Sequence, residues 1–290
     1  MGSLQATNLA DYSDDALIAR IRESALISDE PSTVVRRVSP CLLAKPFARN
    51  GVQDEIAAMR LAKHLNIRVP NVVRVVDDKW FLMEYINGVT LLASWPQIGW
   101  FTAIRLALQL RHFVRALRTV KSPTAGGLTS GNCDSLWLED HFEVPPHSTP
   151  QQINSFFAFW LQYSWEKRRV YPNVEGYRAY GHLLPPQPDH FVFCHSDLAP
   201  RNLMVDEHKN LWVLDWDRAG YYPKYFEYVS MQNFFRPTHW GLFDRLKWWL
   251  FSWISVGIYE RERMALELVR GRALSDSYAR CVLPGIWESH

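Results

Sequence analysis

The chain has 290 residues, of which 48% are hydrophobic and 21% charged, with a formal net charge of +2. This is enough apolar material for one or two buried cores, and the absence of a basic run gives no sign of a nucleic-acid partner. The aromatic run at residues 248–259 is shorter than the roughly 20 residues that span a bilayer, and the four cysteines lie far apart, without a Cys-x-x-Cys pair. We therefore expect a cytoplasmic protein with reduced thiols that binds neither nucleic acid nor membrane. Its oligomeric state stays open.

A β-hairpin and a helix are the first predicted elements. Residues 33–38 and 41–47 flank a turn at Ser39-Pro40, as two short strands would. Lys45 lies inside the apolar second strand, where a solvated edge lysine and a functional lysine are equally good interpretations of this segment alone. Residues 54–65 then combine good helix formers with two acids in the first turn, Asp54 and Glu55.

Strands and helices alternate less regularly further along the chain. Apolar runs, turn signals and helical spacing predict strands at 70–76 and 80–86, helices at 100–119 and 154–171, and a buried helix at 248–259. The glycine-rich loop 126–132 is a weak phosphate-loop signal, because no Lys-Ser or Lys-Thr pair follows it.

The most specific pattern begins at His195. Asp197 is followed five positions later by Asn202, and residues 203–205 and 211–214 predict a hairpin whose open ends bring Asn202 close to Asp215. Transfer of a phosphoryl group needs a residue that orients or deprotonates the attacking hydroxyl, here Asp197, and oxygen ligands for Mg²⁺, here Asn202 and Asp215. The alternative is a turn pair followed by a solvated strand end. The combined spacing and strand context favour the phosphotransfer interpretation.

Residues 195–217 resemble the catalytic and metal loops of the aminoglycoside phosphotransferase and choline kinase branch of the kinase-like fold. The longer run 193–229 is especially similar to fungal phosphotransferase-domain proteins. The resemblance implies an α+β, bilobal, protein-kinase-like fold, with a small, mostly β N-lobe containing one helix at residues 1–87. A larger, mainly helical C-lobe would follow at residues 88–290. ATP and Mg²⁺ are the implied cofactors, and a hydroxyl group of a small molecule is the implied acceptor.

The resemblance also assigns roles in nucleotide binding. Lys45 would contact the α- and β-phosphates, and Glu55 would pair with Lys45, with Asp54 as the rival partner. The adenine would be held by backbone groups of Glu84 and Ile86 in the hinge between the lobes.

One feature departs from the kinase pattern. Kinases cover the phosphates with a glycine-rich loop, because only a backbone without Cβ approaches phosphate oxygens closely. This chain has no glycine between Gly2 and Gly51, and the available loop, residues 28–32, carries two acids. The nucleotide would then be held mainly by Lys45, the metal ligands and the hinge.

Three classes of function fit these observations to different degrees. A protein kinase needs a long segment after the metal aspartate, but only eleven residues, 216–226, separate Asp215 from Glu227, and Ala199 stands where protein kinases carry lysine. A small-molecule kinase is therefore favoured, including a variant in which the phosphate only creates a leaving group. A nucleotide-binding pseudoenzyme is the second interpretation, supported by the missing glycines.

The acceptor is not identified by the sequence. An aminoglycoside is disfavoured, because such polycations call for an acidic groove and the C-terminal third is aromatic and basic. Several of the thirteen tryptophans cluster at residues 240–253. They line either the acceptor site or the core, and core packing is the better interpretation for any single one.

Overall fold

The structure is a computed structural model that describes residues 9, 11–27, 34–47, 52–139, 144–170 and 180–275. Its contacts divide the chain into two compact units, one formed by residues 1–94 and 200–217 and the other by residues 95–199 and 218–290. The sequence-based division at residue 87 stays a prediction, as does any role for the loop 28–32, which lies outside the described residues.

The helices and strands are numbered in chain order. The helices are α1 Asp14–Glu23, α2 Val52–His64, α3 Leu91–Ser94, α4 Trp100–Leu117, α5 Pro150–Val170, α6 Phe226–Gln232, α7 Leu242–Val256 and α8 Glu260–Ser275. The strands are β1 Arg36–Ser39, β2 Leu42–Pro46, β3 Val72–Val76, β4 Trp80–Glu84, β5 Gly88–Thr90, β6 Lys121–Ser122, β7 Phe191–Cys194, β8 Leu203–Asp206, β9 Leu211–Val213 and β10 Gly220–Tyr222.

The first unit is built on an antiparallel sheet with the strand order β1-β2-β4-β3. The predicted hairpin of β1 and β2 is present, and β2 pairs with β4 so that Lys45 lies opposite Phe81. Strand β4 ends at Glu84, two residues earlier than predicted, so residues 85–87, which include the predicted hinge residue Ile86, lie outside the sheet. Helix α1 covers one face with buried Leu17 and Ile21.

A second sheet in the first unit carries the hairpin predicted at 203–205 and 211–214. Strands β8 and β9 pair antiparallel, with Leu203 opposite Val213, and β5 pairs with the other edge of β8. Asp206 closes the turn, because its carboxylate accepts hydrogen bonds from the backbone N–H of Asn210 at 2.7 Å and from the indole N–H of Trp212 at 2.9 Å. The hairpin therefore has a fixed register and two well-defined open ends.

The second unit is mainly helical around the small sheet β10-β7-β6. Helix α5 begins four residues earlier than predicted, because Thr149 and Gln152 bond to each other's backbone N–H groups in a capping box. An extensive apolar cluster surrounds β7 and contains side chains of α5, α6 and α8. Trp240 and Trp248 are almost fully buried, which confirms their interpretation as core residues.

Helices α4 and α7 lie side by side and run in the same direction. At their N-terminal ends, the ammonium group of Lys247 donates to the carbonyl oxygens of Trp95 at 2.9 Å and Ile98 at 2.7 Å. At their C-terminal ends, Arg118 donates to the carbonyl oxygen of Val256 at 2.9 Å. Lys247 is buried and also contacts Asp244, so a cation inside the fold fixes the two helix starts.

The glycine-rich loop 126–132 is part of the second unit's architecture. Gly126 forms a two-way backbone bridge with Tyr221, and its φ of +121° is a conformation that glycine adopts far more easily than other residues. A Cβ atom at Gly126 would lie 1.8 Å from the carbonyl oxygen of Gly131. These glycines therefore have a structural reason to be present.

Within the described ranges, no helix is both long enough and apolar enough to cross a bilayer.

Candidate functional site

Three elements of the first unit bring charged side chains together around Lys45. The Lys45 ammonium on β2 lies 2.6 Å from a carboxylate oxygen of Glu55 on α2 and 2.5 Å from one of Asp215, which follows β9. Lys45 and Glu55 are both buried. The lysine is therefore an internal cation rather than a solvated edge residue, and the predicted pairing with Glu55 is present.

The electrostatics of this cluster are dominated by its acids. Burial alone would lower the pKa of Lys45, but Asp215, Glu55 and Asp217 raise that pKa above its ordinary value. Burial raises the pKa of Glu55 to about 7, Lys45 opposes the rise, and Asp215 adds to it. One lysine among three acids gives the cluster a formal charge of −2 when Glu55 is ionised and −1 when Glu55 is protonated, so it is negative in either state. An added cation would therefore be attracted to it.

Asn202 and Asp215 meet at the open end of the β8–β9 hairpin. The backbone N–H of Leu214 donates to the carbonyl oxygen of Asn202 at 2.9 Å, so Asp215 follows directly after a residue bonded to Asn202. Asn202 is buried, whereas Asp215 is partly exposed and has a φ of +63°. That left-handed conformation is uncommon for a residue with a side chain and often occurs at functional positions.

The two hinge residues lie at the end of β4. Glu84 is its last residue, and its side chain accepts a hydrogen bond from the backbone N–H of Asn71 at 3.3 Å. Ile86 is buried in the connection to β5, and the backbone N–H of the preceding Tyr85 donates to the carbonyl oxygen of Cys41 at 2.9 Å. The connection is thus anchored to the first hairpin, close in sequence to the strand that carries Lys45.

Asp197 lies in the second unit, in a buried loop directly after β7. Its backbone N–H donates to the imidazole Nδ1 of His195 at 3.2 Å, and Ser196 between them has a φ of +65°. The two residues before Asp197 therefore have little conformational freedom.

The sequence did not identify Glu227 as the residue that holds this loop. Its two carboxylate oxygens accept the backbone N–H of His195 at 2.5 Å and that of Ser196 at 3.2 Å. Burial raises the pKa of Glu227 to about 7, against the opposing effect of the His195 N–H. The available signal was an acid between Phe226 and Tyr228 at the start of a mostly apolar helix, where an ionisable group needs a partner.

Ser230, one turn after Glu227, holds the same loop from its carbonyl side. Its hydroxyl donates to the carbonyl oxygen of Ser196 at 2.6 Å and accepts the indole N–H of Trp137 at 3.1 Å. The loop that carries Asp197 is therefore fixed to α6 through both its N–H and its C=O groups.

The predicted site residues are thus divided between the two units. Lys45, Glu55 and Asp215 are in direct contact, and Asn202 is held beside Asp215 by the hairpin. The hinge residues, Glu84 and Ile86, belong to the same unit, whereas Asp197 belongs to the second. The functional roles of all seven residues stay predictions.

The sheet, the buried lysine–glutamate pair and the loop after β7 define a kinase-like α+β fold. The chain belongs to the phosphotransferase enzyme family, whose family model matches residues 22–248. A comparison with curated proteins gave no match.

Several solved structures resemble the chain at low sequence identity. An aminoglycoside-3'-phosphotransferase of type VIII is 18% identical with a TM-score of 0.50, covering 88% of this chain and 97% of that one. A choline/ethanolamine kinase family protein from Mesorhizobium loti is 14% identical with a TM-score of 0.48, covering 97% of this chain and 90% of that one. A choline kinase from Streptococcus pneumoniae is 14% identical with a TM-score of 0.45, covering 86% of this chain and 81% of that one. At such identities the likeness concerns the fold alone.

Proposed function

We propose that the chain is a phosphotransferase that uses ATP and Mg²⁺ to phosphorylate a hydroxyl group of a small molecule. The observation that carries the proposal is the contact of Lys45 with both Glu55 and Asp215, which joins three separate parts of the chain in one charged cluster. In a family of phosphotransferases, a lysine held in this way is suited to binding the phosphates of a nucleotide.

The side chains at the hairpin end fit a magnesium ion. Asn202 and Asp215 would supply an amide and a carboxylate oxygen, which are ligands that Mg²⁺ prefers, and the net negative charge of the cluster favours a cation. Within the described residues there is no group of three or more His, Cys, Asp or Glu side chains arranged to hold a metal. The remaining ligands would be water and the nucleotide phosphates. A bound Mg²⁺ would neutralise the charge of the phosphate oxygens.

Asp197 has the chemistry of the residue that prepares the acceptor. A carboxylate oxygen of Asp197 would accept a hydrogen bond from the acceptor hydroxyl, orient it, and take its proton as the oxygen attacks. Glu227 and Ser230 support this role, because they keep the backbone on both sides of the loop from shifting.

The nucleotide itself would be bound by Lys45 and the hinge. Lys45 would contact the α- and β-phosphates while Glu55 keeps the ammonium group in place, and backbone groups of Glu84 and Ile86 would hold the base. Because these hinge contacts use the backbone, they do not discriminate ATP from GTP through side-chain identity.

The short connection after the metal loop supports a small-molecule acceptor rather than a protein. Strand β10 and helix α6 follow Asp217 within nine residues, 218–226. That connection is too short for the activation segment on which protein kinases bind their substrates. We include in the proposal a cytoplasmic location, which suits the reduced thiols of Cys41, Cys133 and Cys194.

The proposal is tested with thermal unfolding and ADP formation. Millimolar Mg·ATP should raise the unfolding temperature of the wild type, since a ligand that binds only the native state adds RT ln(1 + [L]/Kd) to its stability. Asp215→Ala should lose most of this shift. Asp197→Asn should keep the shift but form ADP about 10²–10⁴-fold more slowly with hydroxyl compounds from a substrate panel.

Asp189→Asn is the matched control, because Asp189 is an exposed aspartate that is not one of the seven predicted site residues. It should behave like the wild type in both assays. A wild type that Mg·ATP does not stabilise would contradict the proposal. Stabilisation without ADP formation from any acceptor class would instead favour a nucleotide-binding regulatory protein.

A further inference from the structure

Two helices of the second unit present an apolar surface to solvent. We call it the apolar face; it consists of Trp100, Phe101, Ile104, Leu108, Phe243 and Leu246. Phe101 on α4 is 83% exposed and Phe243 on α7 is 74% exposed. Single exposed apolar residues are ordinary, but a contiguous group of this size on a folded protein marks an interaction surface.

The face is continuous across both helices. Phe101, Ile104 and Leu108 follow the three- and four-residue spacing of one helix side, as do Phe243 and Leu246 on α7. The helices run in parallel and are fixed at both ends, so these two sides remain next to each other. Between them, Trp100, Ile104 and Leu250 line a furrow with no room for a water molecule.

The charges around the apolar face are almost all positive. Helix α4 carries the exposed Arg115 and the half-buried Arg105 and no acid, and α7 carries the exposed Arg245. The single acid of the two helices, Asp244, accepts hydrogen bonds from the N–H of Gly241 at 3.0 Å and from buried Lys247 at 3.3 Å. The surface therefore offers apolar side chains with a basic border.

We propose that the apolar face binds the surface of a bilayer that carries anionic headgroups. Aromatic and aliphatic side chains on one side of a helix, bordered by arginines, are the composition of helices that lie in the headgroup region. The arginines add electrostatic attraction to anionic lipids. This departs from the expectation, drawn from the sequence, that the protein has no membrane partner, because only the fold places α4 and α7 side by side.

Two other occupants fit the surface less well. A second copy of the chain would bring one basic border against another, which is unfavourable. A partner helix needs a groove for its side chains, but the furrow is filled and the two phenylalanines project outward. A fluid layer into which projecting side chains insert needs no groove.

Vesicle flotation of the full chain tests the proposal. The wild type should float with phosphatidylcholine vesicles that contain phosphatidylserine, and less with pure phosphatidylcholine or at high salt. The double variant Phe101→Gln, Phe243→Gln should bind the anionic vesicles at least roughly tenfold more weakly, because it removes the two most inserted side chains. Arg115→Gln should weaken binding roughly fivefold.

Phe235→Gln is the matched control, since Phe235 is fully exposed but lies outside the apolar face. It should bind vesicles like the wild type, and all variants should keep the wild-type unfolding temperature. The proposal is overturned if the wild type does not float with anionic vesicles, or if the double variant floats equally well. If the wild type is a dimer that does not bind vesicles, and the double variant is a monomer, the apolar face binds a second copy of the chain instead.

Discussion

Removing the carboxylate of Glu227 should destabilise the protein far more than removing an ordinary surface glutamate. In Glu227→Ala, the backbone N–H groups of His195 and Ser196 lose the acceptors that now lie 2.5 and 3.2 Å away. Both groups are buried, and a buried donor left without an acceptor costs about 1–3 kcal/mol. The two together predict a loss of about 2–6 kcal/mol in the free energy of unfolding.

Glu227→Gln refines the same prediction. Its amide keeps one acceptor oxygen but turns an NH₂ group towards the second N–H, so about half of the loss should remain. The measurement is urea unfolding followed by far-UV circular dichroism at constant pH. Glu267→Ala is the control, because Glu267 forms an exposed ion pair with Arg263 and should change stability by less than about 1 kcal/mol. If Glu227→Ala cost no more than this control, the carboxylate would not be holding the loop.

Three further predictions concern other parts of the molecule. Burial raises the pKa of Glu227 to about 7 in the folded state, so between pH 4.5 and 7 the native protein binds a proton that the unfolded chain has lost. The free energy of unfolding should therefore fall by up to about 3 kcal/mol as the pH rises over this range. Glu227→Gln should flatten this pH dependence in unfolding titrations, and an unchanged slope would assign it to other groups. Gly126→Ala should destabilise the protein by about 3 kcal/mol or more, since its Cβ would collide with Gly131. Gly271→Ala, in an open helical position, should stabilise the protein by about 0.5–1 kcal/mol. Equal unfolding midpoints for the two variants would argue against the close approach of Gly126 and Gly131. Lys45→Ala should abolish the Mg·ATP-induced thermal shift, and a shift that survives would remove Lys45 from the nucleotide site.

The parts of the candidate site that the sequence can suggest depend on residues that are close together along the chain. Asp197, Asn202 and Asp215 are recognisable because their spacing is set by one loop and one hairpin, and the hairpin has the expected pairing. Lys45 and Glu55 are separated by ten residues, and their contact was expected from the resemblance to the kinase-like family, with Asp54 as the rival partner. Local patterns in the chain determine these features.

The parts that the sequence does not reveal depend on distant contacts. Glu227 bonds to residues more than thirty positions away, and nothing near it in sequence indicates which groups it faces. The same holds for Lys247, whose two carbonyl acceptors lie about 150 positions earlier. A charged residue in an apolar helix indicates that a partner exists, but the identity of that partner is a property of tertiary packing.

The buried position of Lys247 makes this side chain a chemical reporter of local opening. Its ammonium group donates to two carbonyl oxygens and one carboxylate, and an amine in such a setting is shielded from acylating reagents. Labelling of Lys247 requires α7 to separate from residues 95–98, so its rate relative to that of the exposed Lys224 measures how often this packing opens. Mass spectrometry after brief exposure to an amine-reactive reagent would follow that opening at one position without any engineered probe.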